Sequence, residues 1–232
     1  MHNKRTLSAF PALLASLALY AGCTATTPTV DTSAKGDMTF DGLYPVRNTW
    51  ADDAWARPDV DLSQYTKIML QGVGVEYRPG GESGRSYMSR SQGGPFEVSE
   101  KQKAAFEQVM REAFIDELAK SEHFSLVDEP GPDVLLIRGA LLDVVSYVPP
   151  ETTGARDKIF LSRVGEATLV LELRDSITEA IMARGVDRRA AEDFSAMRES
   201  NRVNNRSEVR QLARTWGRLL RTGLEALAKP AQ

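Results

Sequence analysis

Arg198, Arg202, Arg206, Arg210, Arg214 and Arg218 stand at every fourth residue, and Arg221 follows them. That spacing lays charge along one face of a helix. At about 100° per residue, Arg210, Arg214, Arg218 and Arg221 fall opposite Trp216 and Leu220. Two readings follow: a solvated outer face, or a surface whose guanidinium forks dock anionic groups. Asp143, between Leu142 and Val144, invites a second chemistry. A carboxyl inside an apolar strand has its pKa raised, unless it lies on the wetter face or pairs with a neighbouring strand. One carboxylate still makes no acid–base couple, which needs two groups in separate roles.

Other reactive constellations fail on spacing. Gly81-Glu82-Ser83-Gly84 is not a nucleophile elbow, and Gly72-Val73-Gly74 lacks the third glycine of a dinucleotide fingerprint, because residue 77 is Tyr. His123 follows a predicted helix, where it is expected to cap backbone carbonyls or sit in solvent. With one cysteine in the chain, a thiolate metal site is unavailable and only carboxylate coordination remains. The expectation is a non-enzymatic protein without cofactor or metal.

The single cysteine has another use. Lys4-Arg5, an apolar stretch from Leu7 to Tyr20 and then small residues have the form of a secretory leader. No apolar run reaches the roughly 18 residues of a membrane span. Leu19-Tyr20-Ala21-Gly22-Cys23 resembles the lipobox of bacterial lipoproteins, with Tyr20 where the family usually has Leu. The resemblance implies cleavage before Cys23 and lipidation of its thiol. Thr24 at the next position implies delivery to the outer membrane, facing the periplasm. Two or three acyl chains make a durable anchor where one is marginal. Removing residues 1–22 takes away Lys4 and Arg5, so the charge moves from −3 to −5.

That charge is polarised. Residues 184–221 hold ten arginines and five acids, whereas residues 23–183 hold 16 basic and 26 acidic side chains. An acidic, exported chain is a poor partner for nucleic acid. The anionic groups open to the arginine face are phospholipid headgroups, lipopolysaccharide and peptidoglycan carboxylates, or an envelope protein.

The elements that must position these residues follow from periodicity. Residues 23–38, rich in Thr, Ser, Ala and Pro, read as a flexible tether. Residues 40–58 read as an irregular lead-in whose Trp50 and Trp55 pack on the domain. Strands are predicted over 67–77, 123–127, 134–148 (bent at Gly139), 166–174 and 178–186. In the fourth, Ala167, Leu169, Leu171 and Leu173 face inward. Ser99 with Gln102 has capping-box spacing and opens a helix to about residue 120, with Phe106, Val109, Met110, Ala113, Phe114 and Leu118 on one face. A final helix over 207–228 carries Val209, Leu212, Ala213, Trp216, Leu220, Gly223 and Leu227. The polar stretch 78–95, with five glycines and four serines, is longer than most connections, so it is either functional or without fixed structure. It lies before a helix N-terminus, where anions can be received; Arg78, Arg85, Tyr87 and Arg90 are its candidate contacts. The economical architecture is one α/β (α+β) domain over 39–229, a mixed or mostly antiparallel sheet packed by two helices.

Several segments resemble a known family, DUF3313 of bacterial lipoproteins: Trp55-Ala56-Arg57-Pro58, Asp61-Leu62-Ser63-Gln64-Tyr65-Thr66-Lys67, Gly165-Glu166-Ala167, Leu171-Glu172-Leu173-Arg174-Asp175-Ser176, Val186-Asp187-Arg188-Arg189, and Trp216. These motifs are structural and imply no catalytic or ligand residue. The element order is also similar to periplasmic domains related to the N-terminal domain of TolB and to lipoprotein activators of cell-wall synthases, a fold-level analogy. Three expectations stand: an envelope adaptor or accessory lipoprotein, a regulator of a cell-wall synthase, or a carrier of small molecules or lipids. An apolar cavity would favour the carrier.

Overall fold

A computed structural model describes residues 28–33, 38–79, 95–149, 159–192 and 198–228. Its frame is an eight-stranded mixed sheet carrying two helices on one face. The strands are β1 (Thr29–Val30), β2 (Tyr44–Arg47), β3 (Asp53–Ala56), β4 (Lys67–Tyr77), β5 (Ser125–Val127), β6 (Val134–Ser146), β8 (Arg163–Asp175) and β9 (Ile181–Glu192). They lie in the order β1-β2-β3-β9-β8-β6-β4-β5, and β7 (Phe160–Leu161) pairs separately with β10 (Arg198–Glu199). The pairs β4–β6 and β4–β5 are parallel and the others antiparallel. The helices are α1 (Glu100–Leu118), between β4 and β5, and α2 (Arg202–Ala228), which ends the described chain.

The alternation of β8 works as read: Ala167, Leu169, Leu171 and Leu173 are all buried, because every second side chain points under the helices. Glu172, Arg174, Arg184 and Arg188 lie on the opposite face and pair among themselves and with neighbours. In α1 the core is reached by Val109, Met110, Ala113 and Leu118, with Phe106 and Phe114 half-buried. The Gln102 side-chain oxygen accepts the Ser99 N–H at 2.9 Å, one half of the capping box.

The structure departs from the sequence reading at five places. The lead-in is not irregular, since β2 and β3 extend the sheet, although its Trp50 packs against the core as expected. Within the segment 23–38 expected as a tether, Thr29–Val30 pairs with Arg47 and Val46. At Gly139 β6 keeps regular register with Leu171 of β8, while β4 shifts register beside it between Gly72 and Gly74; the irregularity of β6 itself is elsewhere. It lies at Asp143, whose φ of 53° opens a bulge between Leu142 and Val145, as a left-handed residue in a strand does. Strand β9 runs from Ile181 to Glu192 rather than over 178–186, because β8 is long enough to pair with all of it. Finally, α2 begins at Arg202, earlier than expected, and its last turn buries Leu224 and Ala228 while Leu227 stays 39% exposed. Among the described residues no helix is long and apolar enough to cross a membrane.

Candidate functional site

The helices α1 and α2 run parallel. Glu112 of α1 lies beside Arg206 and Arg210 near the start of α2, both at 3.7 Å. Farther along, a Cβ at Gly217 would stand 2.9 Å from the Glu117 Cβ and 3.6 Å from the Phe114 Cα. Both N-termini therefore point to one end of the sheet. At the far end α2 packs on β8 and β9, and Trp216, Ala213, Leu220 and Leu118 are all buried. At the N-terminal end their first turns stand away from the sheet, and residues 100–102, 104 and 105 of α1 and residues 202 and 203 of α2 are exposed.

The space left there is a cleft of about 900 Å³, at the large end of the range for small-molecule sites. Its deep wall is aliphatic and aromatic: Phe106 and Val109 from α1, Val144 and Val145 from β6, Val164 from β8 and Leu212 from α2. Polar groups cluster at the mouth, with Ser99, Lys101 and Gln102 at one helix start and Asn201, Asn205 and Arg206 at the other, and Ser146 and Glu166 join the lining from the sheet. Tyr77 also lines it; burial pushes its phenol pKa up. The Tyr77 hydroxyl is buried with no hydrogen-bond partner among the described residues, while its ring meets Phe106 edge-on at 6.2 Å.

The sequence-predicted residues are placed as follows. Cys23, Arg85, Tyr87 and Arg90 lie outside the described residues. Arg78 follows the end of β4 and is held by Asp143, with Nε 2.6 Å from Oδ1 and the second nitrogen on Oδ2. Asp143 is accordingly the reverse of a raised carboxyl. The hydrogen bond from Arg78 holds its pKa below the ordinary carboxylate value, with the Arg78 and Arg188 charges adding to the effect. The positive φ has turned it to the solvent face, beside Glu166, which Arg188 reaches at 2.6 Å. His123 sets its Nε2 3.1 Å from the Tyr65 carbonyl oxygen, tying the end of α1 to the turn before β4.

The arginine series divides. Arg214 and Arg218 are exposed, as the wheel places them. Arg206 and Arg210 lean on Glu112, and Arg221 pairs with Glu225 at 3.3 Å. The continuous face read from the sequence is thus partly neutralised by acids of α1 and of α2 itself. Among the described residues no cluster of three His, Cys, Asp or Glu side chains is placed to hold a metal ion.

The cleft is what the sequence did not reveal. Its residues read individually as ordinary core positions, and the space exists only because two distant helix starts diverge from one sheet end. The segments quoted for the family resemblance turn out to be tertiary clasps. Trp216 donates its indole N–H to Asp187 at 2.7 Å, and Arg189 binds the same carboxylate at 2.6 Å. Tyr65, 1% exposed, donates to Asp175 at 3.0 Å. The Arg57 Nε donates to the Ile181 carbonyl at 2.6 Å.

Solved structures offer partial likenesses. A PelC dodecamer from Paraburkholderia phytofirmans shares 12% identity over 70% of this chain and 91% of that one, with a TM-score of 0.33. A Xanthomonas campestris protein assigned to DUF330 shares 9% over 72% and 86%, with a TM-score of 0.41. A neuraminyllactose-binding hemagglutinin homologue from Helicobacter pylori shares 12% over 70% and 84%, with a TM-score of 0.35. No curated protein matches the sequence. The family described as "Protein of unknown function (DUF3313)" matches residues 39–220, the greater part of the chain and all of the sheet from β2 to β9, and this chain belongs to it.

Proposed function

We propose that this chain is a non-catalytic accessory protein of the bacterial envelope, anchored through lipid on Cys23 to the outer membrane and facing the periplasm, and that its domain carries an apolar small molecule or lipid. The observation that supports carriage is the cleft of about 900 Å³ with its apolar deep wall. Apolar surface left open to water costs about 25 cal/mol for each Å², so a ligand that covers this wall binds with a favourable hydrophobic term. Apart from the Tyr77 hydroxyl, the deep wall is built of apolar side chains, which suits an acyl chain better than a polar metabolite.

The adaptor reading rests on a separate observation, the exposed Arg214 and Arg218 on the outer side of α2. Two arginines are a smaller surface than the full series, so the cleft carries the reading preferred here.

One experiment examines anchor and cargo together. Protein purified from the envelope is expected to show acyl groups on an N-terminal peptide beginning at Cys23, and solvent extraction is expected to release about one apolar compound per chain. Cys23→Ala abolishes incorporation of labelled palmitate. Labelling that persists in that variant overturns the anchor, and an extract with no apolar compound, together with no uptake of added apolar probe, overturns the carrier.

A further inference from the structure

The cleft is asymmetric in a way that defines the chemistry of its occupant. Depth and polarity are segregated: Val109 and Leu212, at the bottom, are 2% and 7% exposed, whereas Lys101 and Gln102, two turns earlier in the same helix, are exposed. A ligand that satisfies both regions is apolar at one end and polar at the other.

The sign of the polar end follows from the charges that face it. The lining includes three cations, Lys101, Arg202 and Arg206, and two acids, Glu166 and Glu199. Glu166 is already occupied by Arg188 at 2.6 Å and Arg163 at 3.5 Å, with Arg78 at 3.9 Å, so its charge is compensated on the sheet side. Among the described residues Arg206 makes a long 3.7 Å contact with Glu112, an acid it shares with Arg210. The two parallel helices add the positive ends of their macrodipoles, equivalent to about half a charge each. Glu199 and Arg202 are each engaged in interactions of their own, which leaves Lys101, Arg206 and the two helix starts as the positive groups at the mouth of the apolar slot.

We infer that the cleft takes a single-chain acidic amphiphile of the fatty-acid class, with its acyl chain along Phe106, Val109, Val145 and Leu212 and its carboxylate at Lys101 and Arg206. This rests on the proposal that the cleft carries an apolar ligand and adds to it the charge of the head and the residues that read it.

The test uses the mature-length chain, residues 23–232 with Cys23→Ala, and two probes of equal chain length, palmitate and hexadecanol. Each displaces a fluorescent apolar dye in titrations below the critical concentration for micelles. Palmitate is expected to bind about tenfold tighter than hexadecanol. The double variant Lys101→Glu/Arg206→Glu is expected to remove that preference while hexadecanol affinity stays as it was, which also reports an intact fold. The milder Lys101→Gln/Arg206→Gln pair covers the case in which charge reversal disturbs the helix starts, and is expected to remove the preference too. Val209→Trp, which fills the slot from α2, is expected to abolish binding of both probes. Equal affinities for palmitate and hexadecanol in the unsubstituted protein, or a preference that survives both charge variants, overturn the acidic amphiphile but leave an apolar carrier. Binding that survives Val209→Trp places the probes elsewhere and overturns it as well. Failure of both probes to bind overturns the carrier reading itself.

Discussion

Tyr65 shows how a single side chain ties distant parts of this fold together. Its ring is buried beside the first long strand, and its hydroxyl donates to Asp175, the residue that opens the β8–β9 turn by accepting the Thr178 N–H at 2.8 Å and the Ile177 N–H at 3.1 Å. Burial, with the bond and charge of Asp175 behind it, raises the phenol pKa from 10.0 to about 12. A group whose folded-state pKa is raised contributes stability that is complete below its unfolded value and is lost as pH rises through the folded one. Tyr65→Phe is therefore expected to cost about 1 kcal/mol near neutral pH through the lost hydrogen bond. Between pH 10 and 12 the wild type should lose stability that the variant keeps, so the two melting temperatures converge or cross. Thermal unfolding of both proteins at pH 8 and pH 11.5 checks this; a constant gap would mean that Tyr65 ionises as freely as an exposed tyrosine. Asp175 runs the other way. The Thr178 N–H holds its pKa low, with further hydrogen bonds from the Thr178 hydroxyl and Tyr65, so its contribution is present above the ordinary carboxylate value and fades in acid. Asp143 marks the limit of residue-level reading. Its neighbours Leu142 and Val144 suggest a buried carboxyl, but its partner Arg78 is 65 positions away and its positive φ turns it outward. Neither fact is local to the sequence.

At the scale of elements, what was legible is what depends on one segment alone. The period-2 pattern of β8 and the 3.6-period faces of α1 and α2 are fixed by which residues can be buried together, and they appear in the structure with nearly the residues expected. What depends on a partner was not legible. The four-residue strands β2 and β3, one of them containing Pro45, have too little length for a periodic signal and are strands because β3 pairs with residues 183–186 of β9 and β2 pairs with β3 in turn. The approach of α1 to α2 is a further case. Gly217 reads as a mild weakness in a helix, since Gly is about 1 kcal/mol worse than Ala there. In the structure it is the point where α2 passes closest to α1, and a methyl group would stand 2.9 Å from Cβ and 3.3 Å from Cγ of Glu117. Glu117 is itself buried and its carboxylate is bound by Lys120 at 2.6 Å, so it cannot simply swing away. Gly217→Ala is expected to destabilise the protein by about 1–3 kcal/mol through overpacking, against the gain that propensity alone predicts. Urea unfolding of this variant beside Ser207→Ala, an exposed position in the same helix, separates the two effects: the Ser207 variant should be neutral or slightly stabilised.

Across the whole molecule, packing is graded along the helix axes. One end is closed by Trp216 on Asp187, by Leu118, Leu220 and Leu224, and by the tight passage at Gly217. At the other end the helix starts stand over a cleft, and their side chains reach water rather than core. Local opening costs little where few apolar contacts must be broken and approaches the global unfolding free energy where many must. Amides in the second and third turns of the helices, around residues 104–108 and 206–210, are therefore expected to exchange with deuterium much faster than those around residues 113–118 and 213–220, although all are hydrogen-bonded within the same two helices. A ligand in the cleft should change this selectively. Binding to the native state stabilises by RT ln(1 + [L]/Kd), or about 2.7 kcal/mol at a hundredfold excess over Kd, and that energy appears as protection where opening removes the site. Palmitate is thus expected to slow exchange in the early turns of α1 and α2 and at the β6 and β8 positions beneath them. The Trp216 region, whose opening is expected to approach global unfolding, should gain protection only to the extent that overall stability rises. Exchange followed by mass spectrometry with and without palmitate measures both. Uniform exchange along the helices would contradict the graded packing, whereas a gradient that palmitate leaves untouched would show that the early turns are open for a reason other than binding.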